Sequence, residues 1–274
     1  MRFACFLYLL IFISCDSRST IKIKGSDTEV NLTAMLAESF HTSNKHILIS
    51  VSGGGSGLGI ASLINNTSDM ANSSRRINRE ELEIFESLNM QVDSTIFAED
   101  AIAFVISRKL PLDSISLSDL SKVLSGQISN WNILCRSNLP VTIYGRQSNS
   151  GTFEYIKSAL DIRFAPQAKQ MNGNAQILEA IKADATGIGY VGAGYVREES
   201  SSSIKVLKIS GPKGSAVSPL DSAAVISGAY SFKRPLFQYY HKTDYQKLKP
   251  FLDFEKSATG KKIIHESGYY PVNQ

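Results

Sequence analysis

The chain has 274 residues, of which 43% are hydrophobic, so it can form real cores in one large or two ordinary domains and reads as a globular protein. Its net charge is only +4, without a basic block or a regular Lys/Arg stripe, which argues against nucleic acid as a partner.

The first segment reads as a targeting signal. Arg2 precedes an apolar run from Phe3 to Ile13, roughly half the ~20 residues of a membrane-spanning helix, and Ser14-Cys15 follows. The ending Phe12-Ile13-Ser14-Cys15 resembles the lipobox of bacterial lipoproteins, which implies a signal peptide over 1–14, acylation of Cys15 and a lipid-anchored linker over 15–20. A simple secretory signal with an incidental cysteine is the plainer alternative. Once Cys5 leaves with the signal and Cys15 carries lipid, Cys135 is alone, so no internal disulfide is expected and a half-buried structural thiol is.

From residue 20 onward, strand-like and helix-like segments alternate. A strand at Ile21–Lys24 leads through Gly25-Ser26-Asp27-Thr28 into a helical stripe over Glu29–Phe40. A strand at Ile47–Val51 ends in Gly53-Gly54-Gly55-Ser56-Gly57, and Leu58–Ile64 continues as a helix that Asn65-Asn66 stops. A third strand, Asp69–Ala71, ends at Asn72-Ser73-Ser74-Arg75. Ala101–Ser107 is a nearly continuous apolar strand, suited to burial on both faces or to a crossing between domains. Val141–Tyr144 leads through Gly145-Arg146 to Ser150-Gly151-Thr152 and a helix over Phe153–Leu160, then come a helix at Ala175–Lys182 and a strand at Gly187–Val191. Helices from Lys247 to Tyr270 pack back on the first half.

This rhythm is that of βαβ units around a mostly parallel sheet, in which ligands bind at the carboxyl ends of strands. The Ser/Gly/Thr turns fall there. Each opens a helix, whose first N–H groups are unpaired and carry partial positive charge, and Arg75 and Arg146 stand among them. Together these features suit a compact tetrahedral oxyanion.

The ordered set GSDT (25–28), SGGGSGLG (52–59), DMANSSR (69–75), LSGQISNW (124–131), YGRQSNSGT (144–152), GIGYVGAGY (187–195) and KRPL (233–236), with the ending from Phe251 to Val272, resembles the phosphate-binding protein of the bacterial high-affinity phosphate ABC importer. That resemblance implies an α/β type II periplasmic-binding-protein fold of two lobes, each a mixed sheet flanked by helices, with two crossover strands as the hinge. It places lobe 1 at 20–103 plus 237–274 and lobe 2, with the crossovers, at 104–236. It further implies that inorganic phosphate is held by Ser26, Asp27, Thr28, Ser56, Gly57, Ser74 and Arg75 on one lobe and by Arg146, Ser150, Gly151 and Thr152 on the other. Closure of the lobes would then present the anion to a membrane permease, from a monomer held to the membrane by its N-terminal lipid, with no cofactor.

Some relatives in that family carry an aspartate where Ser74 stands, as an acceptor for a phosphate proton. Asp27 and the Ser74 hydroxyl are the remaining candidates here, and sulfate or another oxyanion stays open as the ligand. Arg76 and Arg79 are expected on a solvated face, Trp131 in the packing, and His41, His46, His241 and His265 without metal-like spacing. An enzyme is disfavoured. Leu58 breaks the nucleophile-elbow pattern, Lys262 breaks the phosphate-loop pattern, and no histidine neighbours the turns in sequence. An adhesion or interaction lipoprotein is the third alternative.

Overall fold

A computed structural model describes residues 19–197, 203–211 and 215–272, so the expected signal peptide and Cys15 lie outside the described residues. In chain order the first elements are β1 (Ser19–Gly25), α1 (Val30–Ser43), β2 (Ile47–Ser52), α2 (Ser56–Ile64), β3 (Met70–Ser73), α3 (Arg79–Ser87) and β4 (Val92–Ser107). The middle holds β5 (Ser114–Ser116), α4 (Leu117–Leu124), β6 (Thr142–Arg146), α5 (Gly151–Ala159), β7 (Lys169–Met171), α6 (Asn174–Ala183), β8 (Gly187–Gly192) and α7 (Ala193–Arg197). The remainder is β9 (Ile204–Val206), β10 (Lys208–Ser210), α8 (Ser222–Ile226), β11 (Lys233–His241), α9 (Tyr245–Lys256), α10 (Ala258–Glu266) and β12 (Tyr270–Pro271).

The main sheet runs in the order β2-β1-β3-β11-β4-β8-β6-β7, with β9 and β12 also on β4. β1 pairs in parallel with β2 and β3, and β6 pairs in parallel with β7 and β8, so each end of the sheet is a parallel unit. β4 and β11 are antiparallel to their neighbours and join the two units. Along β4 the partner changes at one step: Ala101 lies opposite Lys233 of β11, and Ile102 lies opposite Gly192 of β8. That step is where one lobe becomes the other. The sequence predicts only the apolar second half of β4, because the first half has exposed and half-buried residues among the buried ones and lacks a continuous apolar run.

Each lobe has its own core. In lobe 1, Ile21, Ile23, Leu32, Leu36, Phe40, Leu248, Phe251 and Ile264 fill the space between the sheet and α1, α9 and α10. The opposite face is covered by α2 and α3 through Ile60, Leu63 and Phe85 against Phe237 and Tyr239. Lobe 2 is built on Phe104, Ile106, Ile143, Ile156, Ile177, Ile188 and Trp131, whose indole Nε1–H donates to the Thr186 carbonyl at 2.9 Å. Cys135 is half-buried against this core. Among the described residues no helix is long and apolar enough to cross a membrane.

Candidate functional site

Because β1, β2 and β3 run in parallel, their carboxyl ends share one edge, and the turns that follow them meet there. Gly25 has φ of +139°, and a side chain at this point would collide with the Asn72 carbonyl, so only glycine lets β1 leave the sheet beside β3. Ser26 Oγ donates to Ser74 Oγ at 3.1 Å, Ser56 Oγ lies 3.4 Å from Ser74 Oγ, and Ser56 Oγ accepts from Ser74 N at 3.1 Å. Ser26, Ser56 and Ser74 are all buried.

Lobe 2 brings the end of β6 and the start of α5 to the same place. Ser150 caps α5 by accepting from Thr152 N at 3.2 Å, which satisfies one of the free amides of that helix. Gly151 packs so closely on lobe 1 that a Cβ would lie 2.5 Å from both Ser56 Oγ and Ser74 Oγ. Thr28 Oγ1 and Thr152 Oγ1, one from each lobe, are 3.3 Å apart. Two more bonds cross the seam: Gly57 N donates to Asn149 O at 3.0 Å, and Asn149 Nδ2 donates to Gly54 O at 3.2 Å. The lobes are therefore closed on each other along a lining of hydroxyls.

One guanidinium at the seam has spare donors. Arg146 is 2% exposed; it gives one bond to the Asn172 carbonyl at 3.0 Å, while Nε and Nη1 have no hydrogen-bond partner. Burial pulls its pKa down and the Asp27 carboxylate, 3.5 Å away across the seam, pushes it back up. A guanidinium stays protonated regardless, and with Asp27 at ion-pair distance but no hydrogen bond on Nε or Nη1 it keeps donors for an anion.

The structure adds Arg234, to which the sequence reading gave no role beyond its place in the KRPL motif. It is 1% exposed, and it pairs with Asp100 at 3.1 Å, directly opposite in the β4–β11 register. Its Nη2 also donates to Thr28 Oγ1 at 3.2 Å and to Thr152 Oγ1 at 3.0 Å. A charge on a crossing strand thus orients a hydroxyl of each lobe. Only the register of two distant strands reveals this, since residues 100 and 234 share no local pattern.

Three of the expected anion ligands are engaged elsewhere. Arg75 forks onto Glu81, with Nη1 and Nη2 at 2.7 and 2.6 Å from the two carboxylate oxygens. Glu81 is fixed by a capping box with Asn78 at the start of α3, and that N-x-x-E spacing is readable in the sequence. Asp27 does not stand free as a proton acceptor. Its Oδ2 accepts from both the backbone N and Nδ2 of Asn174 at 2.8 Å, so it clasps lobe 2, while its own carbonyl accepts from Tyr195 at 2.7 Å. Gly57 likewise spends its amide on Asn149. Arg76 and Arg79 are exposed, and no group of histidines or acids capable of holding a metal occurs among the described residues.

Since Glu81 already neutralises Arg75, Arg75→Ala is expected to weaken anion binding less than tenfold and to change stability by about 1 kcal/mol. Calorimetric titration and urea unfolding of the variant check both; a loss matching that of an Arg146 variant would return Arg75 to the anion.

Two lobes that share two crossing strands and close on a buried, guanidinium-bearing seam define a ligand-clasping binding protein. Residues 14–258 match the PBP superfamily domain, and the chain belongs to that superfamily. It is 25% identical over 267 residues to the phosphate-binding protein PstS of Borreliella burgdorferi, covering 94% of this chain and 91% of the relative. Its identity to the phosphate-binding protein PstS of Pseudomonas aeruginosa PAO1 is 26%, over 90% of this chain and 81% of that one. A Clostridium perfringens structure with bound phosphate superposes with a TM-score of 0.83 at 22% identity, over 93% of this chain and all of that one (100%), which supports the same fold.

Proposed function

We propose that the chain is the extracytoplasmic, inorganic-phosphate-binding component of an ABC importer, capturing the anion between its lobes and delivering it to a membrane permease. The observation that carries this is Arg146: a buried guanidinium at the seam, beside Asp27 of the other lobe, whose Nε and Nη1 make no hydrogen bond. Each hydrogen bond to a charged group contributes about 1.5–3 kcal/mol, so several together can offset the desolvation of a small anion. Ser26, Thr28, Ser56, Ser74, Arg146, Ser150, Gly151 and Thr152 form the site in this reading, with Asp27 as a clasp. The names of the similar proteins, phosphate-binding protein PstS in two organisms, point the same way.

A binding role, rather than catalysis, fits the seam. Its serines bond to one another and to backbone, and no histidine is among the partners of Ser26, Ser56, Ser74 or Ser150 described above. Export with a lipid anchor at Cys15, and action as a monomer, complete the proposal.

Sulfate is the second reading, because the hydroxyl of Ser74 stands where a carboxylate would reject a fully ionised anion. Calorimetric titration of the signal-free protein with phosphate and, separately, with sulfate tests the choice. Heat from phosphate alone is the expected result; equal affinity for both would reduce the assignment to an oxyanion-binding protein, and silence with both would retire it.

A further inference from the structure

Glu29 opens α1 directly behind the first turn of the site, and it is fully buried, at 0% exposed. Neither carboxylate oxygen has a hydrogen-bond partner. The sequence Ser26-Asp27-Thr28-Glu29 is an S-x-x-E capping box, in which the glutamate would bond the serine amide. That box is not formed. Ser26 N donates instead to Asn72 O at 2.8 Å, and Ser26 Oγ gives its proton to Ser74 Oγ. The ordinary structural use of this glutamate is thus pre-empted by the pairing of the site turns.

The charges around it decide its ionisation. Asp100 of β4, Arg234 of β11 and Glu255 of α9 act on Glu29, and Glu29 in turn acts on the phenols of Tyr239 in β11 and Tyr269 ahead of β12. One guanidinium stands against three buried carboxyls, and it is in contact with Asp100. Arg234 cannot also neutralise Glu29 and Glu255, and an unpaired carboxylate in the interior is more costly than a protonated one. Burial pushes the Glu29 carboxyl well above the usual range, against the weaker pull of the Ser26 side chain and Arg234. Glu255, bonded only by Gln238 Nε2 at 2.8 Å, is pushed up to about 8 by the same cause.

We propose that Glu29 is the proton-bearing residue of the anion site: it carries a proton whenever the anion is bound. This deepens the anion-binding reading and rests on it. A carboxylate beneath the hydroxyl lining would repel the anion through a low-dielectric gap, whereas the neutral acid does not. The orientation of the serines agrees with a neutral Glu29. With the Ser26 proton on Ser74 Oγ, neither oxygen of Glu29 receives a full hydrogen bond that would hold it ionised. The proton balance is simple. A chain with Glu29 ionised takes up one proton from solvent as it captures hydrogen phosphate; if dihydrogen phosphate arrives instead, its own proton passes to Glu29 and the total is the same. Specificity then comes from a carboxyl one residue layer behind the anion, not from one at Ser74.

Comparison of the wild-type chain with Glu29→Gln, a permanently neutral isostere, tests this. Phosphate affinity is titrated for both from pH 6 to 9.5, and the ratio of the two affinities is read, so that the ionisation of phosphate itself cancels. Wild-type affinity relative to the variant is expected to fall tenfold per pH unit above the Glu29 transition. A constant ratio across the range, together with a Tm difference between the two proteins that does not change with pH, overturns the proposal while leaving phosphate binding in place; absence of phosphate binding by both proteins at every pH overturns the anion reading and this coupling together.

Unfolding without anion gives an independent readout. The folded state holds the Glu29 proton to a higher pH than the unfolded state does, so the wild type loses stability as pH rises from about 4. The Tm advantage of the Gln variant should therefore grow with pH and level off above the folded transition. A Tm difference that stays the same from pH 4 to 9, with that constant ratio, overturns the proposal. Should Glu29→Gln fail to fold, Glu29→Met supplies the same neutral reference.

Discussion

Arg146→Ala is expected to remove most anion binding, by about 3 kcal/mol or more than a hundredfold in Kd, while leaving the fold intact. The guanidinium is the buried cation of the seam with donors to spare, and the amides and hydroxyls that remain cannot supply its full charge. The fold should survive because the Asp27 carboxylate, 25% exposed, keeps both bonds from Asn174. Titration with phosphate alongside a thermal melt checks both halves. An unchanged Kd would remove Arg146 from the site, and loss of the folded state would make it a structural residue.

Arg234→Met is expected to have a different signature. It strands Asp100, fully buried with Oδ1 already unpartnered, so stability should fall by about 3–5 kcal/mol at neutral pH. Burial already holds the Asp100 carboxyl above its usual range, and without Arg234 it would rise further. The folded variant would then bind more protons than its unfolded chain, so the loss should shrink as pH falls. The double variant Asp100→Leu/Arg234→Met removes both charges and should regain most of the stability, yet still bind phosphate roughly tenfold to a hundredfold more weakly, since nothing orients Thr28 and Thr152. Chemical denaturation and titration of the three proteins separate the effects. If the double variant bound like wild type, Arg234 would be a hinge residue with no part in the site.

The turns of the site were legible because they use local chemistry: glycine where β1 must leave the sheet beside Asn72, and Ser150 where α5 needs a cap. The strands that precede them were legible from their short apolar or alternating segments, and the two-lobed fold from the ordered motifs that resemble a two-lobed family. What stayed hidden depends on partners far away in sequence. The sequence shows Arg75 beside the turns but not the Glu81 carboxylate that pairs with it, although the Asn78–Glu81 capping box marks that carboxylate as fixed nearby. Asp27 looked like an acceptor for the ligand, and Asn174, which claims it, lies 147 residues on. Glu29 looked like the first polar residue of an amphipathic helix. Nothing local says that α9 and β11 will cover it.

The placement of β11 also constrains the order in which the molecule can assemble. Lobe 2 is nearly contiguous, whereas β3 and the first half of β4 acquire their shared neighbour only when residues 233–241 are in place. Before that strand arrives, two open edges face each other across a gap, and the α1 side of the sheet lacks α9 and α10 as its cover. Contacts over such separations form slowly, so the first third of the chain must wait for the last sixth, and the nascent protein is most prone to mispairing in that interval.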